Sequence, residues 1–134
     1  MAQDDFIIVD FEGEPSRPLE RRRQKSCVLR DVAGMLRSFS YASASAMQRE
    51  GAKADPALAR ALADWERDAS RHFLEGYLKG AAALVTVPAD QATFRELLEL
   101  FLIEKAAYEL RYEIAHRPDW VGIPMRGLLN LVNP

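Results

Sequence analysis

Four apolar residues, Phe6 to Val9, run directly into Asp10, and two further acids follow at alternate positions, Glu12 and Glu14. A carboxylate at the exit of a buried strand is placed to hold a divalent cation, and Mg2+ takes one or two carboxylates together with phosphate and water oxygens. Such a site serves phosphoryl transfer, in which the metal bridges phosphate oxygens and neutralises the developing charge. Asp10 is the leading ligand. Glu12 shares its face while the chain stays extended, as a second ligand or as an outer partner of the first. Gly13 and Pro15 turn the backbone around Glu14, which weakens its claim. The same acids also suit a solvated turn beside the cluster Arg21, Arg22, Arg23 and Lys25, whose arginines could ion-pair with Glu12, Glu14 or Glu20.

A second group stands far along the chain. Lys105, Tyr108, Glu109 and Tyr112 recur at steps of three and four, which gathers a cation, an acid and two aromatic rings on one side of a helix. Carboxylates and amines bond hydroxyl pairs while aromatic faces cover C–H surface, so the group suits a sugar. It equally suits a helix whose tyrosines pack and whose Glu–Lys pairs face water. Glycine-rich phosphate loops are missing, since Glu12-Gly13-Glu14 puts acids where a phosphate needs bare amides. His116-Arg117-Pro118-Asp119 fails as a catalytic loop, because proline interrupts it, no asparagine follows at the required spacing, and it comes after the metal strand. No catalytic base can be assigned. Cys27 reads as an inert small side chain beside a helix start.

The elements that must carry these residues follow from periodicity and punctuation. Phe6 to Val9 reads as a short strand covered on both faces, and a strand without a pairing partner leaves its backbone groups unsatisfied unless the partner comes from elsewhere. Residues 6–15 are the strand and its turn. The stretch from Glu14 to Lys25 is a loop ending in a short helical turn. Val28, Val32, Met35, Leu36 and Phe39 set a helix over 28–46. Asp55-Pro56 caps and opens the next, 56–79, with Leu58, Leu62, Trp65, Ala69, Phe73 and Tyr77 as its stripe and Gly80 as its stop. Asp90 caps a third over 91–117, closed by Pro118, and Pro124 opens a last one over 124–132. The expected fold class is mostly α with a short N-terminal β segment.

Length and composition bound the rest. The 134 residues are 49% hydrophobic and 28% charged with a formal net charge of -2, as for one soluble globular domain. That balance supplies no electrostatic case for nucleic acid. A single cysteine excludes an internal disulfide and fits a reducing compartment. Without a signal peptide or an apolar run near the roughly 18 residues of a membrane span, no membrane is expected and the location is cytoplasmic.

The block DFEGEPSRPLERRRQK with LRDVAGMLRSFSYA, and the later block FLIEKAAYELRYEIAHRPDWVGIPMRGLL, resemble the maltokinases, including those fused to trehalose synthase. The resemblance spans Phe6 to Leu129. It implies the C-terminal lobe of a protein-kinase-like, aminoglycoside-phosphotransferase-like fold in which ATP, with Mg2+, phosphorylates maltose to maltose 1-phosphate, a step of trehalose- and glycogen-linked metabolism. It matches Asp10 to the aspartate that opens the metal-binding motif, and Asp31 to a helix aspartate that braces the catalytic loop, although a first-turn acid is also routine in any helix. The nucleotide-binding lobe and the catalytic loop have no counterpart. The expectation is therefore an inactive C-terminal piece of a maltokinase, whose partners are maltose, ATP and the missing lobe or a fused trehalose synthase domain. A non-catalytic helical interaction module, or a related kinase with another acceptor, are the alternatives.

Overall fold

The computed structural model describes residues 18–51 and 55–132. The expected strand at 6–15, with Asp10 and Glu12, lies outside them. The described residues are mostly helical, as expected for a piece of a kinase-like C-terminal lobe: α1 (Leu19–Arg23), α2 (Leu29–Glu50), α3 (Pro56–Ala81), α4 (Gln91–His116), a 3₁₀ turn (Pro118–Trp120) and α5 (Gly122–Val132).

Local signals set most boundaries. The Asp55 carboxylate accepts from the Ala57 amide at 2.9 Å, with Pro56 supplying a preset φ and no donor to satisfy. Asp90 accepts from both the amide and the hydroxyl of Thr93, at 2.7 and 2.8 Å. These bonds hold its carboxyl below the usual carboxylate range, the Thr93 amide being the largest cause. α2 runs on past residue 46, because its Ser/Ala stretch carries nothing that breaks a helix. It stops at Gly51, whose φ of 60° and ψ of -145° lie in a region almost closed to residues with a Cβ. Gly80, expected as a stop, sits inside α3, which ends at Ala81. α5 begins at Gly122, two residues before Pro124, and the first turn of a helix accepts proline because its amides have no partner there.

α2 is the centre: α3, α4 and α5 all pack on it, and α4 packs on α5 and the 3₁₀ turn. Leu29, Val32 and Ala33 of α2 meet Phe94 and Leu98 of α4, and Phe73, Leu74 and Tyr77 of α3 close the cluster. Burying Leu29, Val32 or Phe94 contributes about 1.5–3 kcal/mol each before entropy is counted. The periodicity stripe is not uniformly inside, since Met35 and Trp65 are 42% and 45% exposed. Trp65 still meets Phe39 edge to face at 6.0 Å.

Candidate functional site on the fourth helix

Beyond Phe101 and Leu102, which still pack on the apolar cluster, α4 also meets α2 through charged and polar side chains. Arg30 pairs with Glu104. Arg37 donates from Nε to Glu109 Oε2 at 2.9 Å, with its Nη2 at 2.8 Å from the same oxygen. Tyr41 donates to Glu113 Oε1 at 2.9 Å. The partners differ in number by 74, 72 and 72, and this nearly constant offset means that α2 and α4 run parallel. One helical turn separates Arg37 from Tyr41, and one turn separates Glu109 from Glu113, so a single register serves both rungs.

The Arg37–Glu109 rung is dry, and in the next rung the half-buried Tyr41 meets a buried Glu113. The Arg37 and Glu109 side chains are 6% and 10% exposed, and Glu113 is more deeply buried still. Glu113 is also gripped from its own helix end by Arg117, whose Nε reaches Oε2 at 2.9 Å and Nη2 reaches Oε1 at 2.6 Å. The Arg117 guanidinium lies 5.0 Å from the centre of the Trp120 ring, which stacks on Tyr41 at 6.1 Å. Burial pushes the Glu109 carboxyl above the usual range, against the opposing pull of Arg37. Burial first, then the Glu109 charge and the Glu113 bond, raise the Tyr41 phenol above its ordinary range. It therefore stays a donor at neutral pH.

Arg37 also fixes α5. A Cβ built on Gly127 would lie 2.2 Å from Arg37 Nη1 and 2.9 Å from its Cζ. Glycine at that helical position leaves the room in which the guanidinium lies.

The expected sugar group divides across this architecture. Lys105, Tyr108 and Tyr112 form a ridge along α4, with Lys105 Nζ 5.1 Å from the Tyr108 ring centre. Tyr112 is 41% exposed and its ring stacks on His116 at 4.4 Å. Glu109 is turned inward to Arg37, so its carboxylate is already engaged. Asp31 stands exposed in the first turn of α2, and with Cys27 it adds to the burial that raises the Tyr77 phenol. His116 ends α4 and Arg117 is its cap, so the rejected His116-Arg117-Pro118-Asp119 run bends between two helical elements. Sequence reasoning missed Arg37, Tyr41, Glu113, Arg117 and Gly127. The available signal was a polar residue at apolar spacing in two helices at once, with arginine and tyrosine one turn apart in α2 and glutamates one turn apart in α4. Among the described residues no three His, Cys, Asp or Glu side chains converge to hold a metal, and no helix is long and apolar enough to cross a membrane.

No protein-family profile matches the chain. It is 30% identical over 127 residues to a glucosamine kinase of Streptacidiphilus jiangxiensis, covering 95% of this chain and 27% of that protein. It is 29% identical over 129 residues to a glucosamine kinase of Mycolicibacterium smegmatis, covering 96% of this chain and 30% of that protein. The chain thus spans less than a third of the length of the curated relatives it matches. Over nearly its whole length it is similar to part of two proteins named as glucosamine kinases.

Proposed function

We propose that this chain is a portion of an ATP-dependent sugar kinase, corresponding to the helical C-terminal lobe and its metal strand. The observation that carries the reading is its similarity, along at least 95% of its residues, to two proteins named as glucosamine kinases. Asp10, with Glu12 as a second ligand or outer partner, would hold Mg2+, which when bound would supply charge neutralisation for phosphoryl transfer. The ridge of Lys105, Tyr108 and Tyr112 meets the acceptor sugar, and Glu109 beneath it, tied to Arg37, fixes the position of α4. Asp31 braces the catalytic loop supplied by the rest of the enzyme. The chain resembles maltokinases in its motifs, which makes maltose one acceptor. The names of its relatives favour glucosamine as the other.

The apolar surface of α4 supports the idea of a larger body. Leu100, Ile103 and Ile114 are 56%, 43% and 59% exposed. They lie on the side of the helical wheel away from the buried Leu98 and Glu109, and a stripe of this kind is ordinarily covered. The remainder of a kinase polypeptide is the partner this reading assigns to it.

A chimera tests the proposal. The matching region of the Streptacidiphilus jiangxiensis enzyme is replaced by this chain, and transfer from ATP to glucosamine and to maltose is measured separately. Transfer to either sugar is expected, with the preferred one identifying the acceptor. A folded chimera that binds ATP and phosphorylates neither sugar would overturn the reading. The 134-residue chain alone, mixed with ATP, Mg2+ and either sugar, is expected to yield no sugar phosphate.

A further inference from the structure

α3 and α5 lie against α2 without packing on each other. The gap between them is an open cleft of about 660 Å³, inside the range of roughly 300–1,000 Å³ common for small-molecule sites. Its floor is α2, where Leu36 and Ser43 face the opening and Ser40 donates to Glu66 Oε1 on α3 at 2.5 Å. Ser43 is buried, at 9% exposure. Across from Glu66, the α5 side presents Arg126 and Asn130, and Asp119 of the 3₁₀ turn stands at the same rim. The Arg37 guanidinium also lines the cleft and is held by Glu109.

The chemistry of this lining selects a ligand. Glu66 and Asp119 accept hydrogen bonds, while Arg126, the amides of Gln48 and Asn130 and the serine hydroxyls donate them, around a small apolar floor; the other two guanidinia of the lining, Arg37 and Arg67, are engaged by Glu109 and Asp64. An anion meets Glu66 and Asp119, and a wholly apolar molecule leaves both carboxylates and Arg126 without compensation. A polyhydroxylated molecule satisfies all of them, because each hydroxyl both donates and accepts. Neither Lys105, Tyr108, Glu109 nor Tyr112 lines the cleft, so it is distinct from the ridge on α4.

We propose that the cleft between α3 and α5 is a second ligand site, for a polyhydroxylated molecule of sugar size. This goes beyond the kinase reading and does not depend on it, since binding here needs neither ATP nor transfer. The test is a titration of the uniformly ¹⁵N-labelled 134-residue chain with maltose and, separately, with glucosamine, followed by amide chemical shifts. Saturable shifts at Ser40, Ser43 and Asn130 are expected with at least one of the two. A response to glucosamine alone means that its ammonium is taken by Glu66 or Asp119. Ala63→Trp fills the cleft from an exposed position of α3 and removes no polar group, and Arg126→Ala removes a donor from α5. Each should weaken binding about tenfold or more, a step of roughly 1.4 kcal/mol, with the far-UV circular dichroism unchanged. Absence of saturable shifts with both sugars overturns the proposal. So do shifts confined to Lys105, Tyr108 and Tyr112 that persist in Ala63→Trp.

Discussion

Substituting methionine for Arg37 leaves the Glu109 carboxylate buried beside Glu113 without its guanidinium. At 2.8 Å and an effective dielectric of about 20, the gross attraction of the pair is about 6 kcal/mol. Desolvation of both ions offsets much of it, so the pair itself contributes little net stability. Removing one partner is different, because the other charge keeps its burial cost, and such a loss is about 3–5 kcal/mol. Urea unfolding of Arg37→Met, followed by circular dichroism at neutral pH, should show a deficit of that size. The Glu109 carboxyl is already raised by burial, and losing Arg37 raises it further. The native state then holds a proton that the unfolded chain releases, so stability is greatest at low pH and falls as pH rises through the native value. The deficit should therefore shrink toward pH about 4, the ordinary carboxylate range. Arg37→Met with Glu109→Leu should recover most of the loss, since an apolar pair has no charge to desolvate. A deficit below about 1 kcal/mol for the single variant, as for exposed pairs, would refute the argument that these charges are dry.

Three further outcomes follow from other contacts. Gly127→Ala gains helix propensity yet should destabilise by about 1–3 kcal/mol, as overpacking does; in the Arg37→Met background, where the blocking guanidinium is gone, the same change should be neutral or better by urea unfolding. Asp90→Ala should lower the melting temperature at neutral pH. Because the Asp90 carboxyl titrates below its ordinary range, the stability it contributes is present above that range and lost as pH falls through its native value, so the two melting curves should converge in acid. In a longer kinase polypeptide containing this chain, Asp10→Asn should abolish phosphoryl transfer while leaving the unfolding transition nearly unchanged; normal turnover would remove Asp10 from the metal role.

Local chemistry made the helices legible from residues alone. Asp55-Pro56 and Asp90 announce helix starts because a carboxylate can reach the free amides of its own first turn, a contact spanning two or three residues. Pro118 announces an end for an equally local reason, and Val32, on the stripe read from the sequence, lies in the core, whereas the fully buried Leu29 stands one residue off that stripe's first member, Val28. The limits of such reading appear at Met35 and Trp65, whose apolar character says nothing about whether a neighbour arrives to cover them. They appear most clearly at Glu109, read from the sequence as a sugar-binding or solvated residue, and at Arg37 and Glu113, since charged residues are ordinarily exposed. Only the parallel approach of α2 and α4, at an offset of 72 residues for the lower rungs, brings the guanidinium, phenol and carboxylates together and lets them leave water. The need for glycine at position 127 was equally invisible, since it is imposed by a side chain 90 residues away that lies against α5. Periodicity assigns a residue to a face of its helix, whereas the identity of the group across from that face is a property of the packed chain.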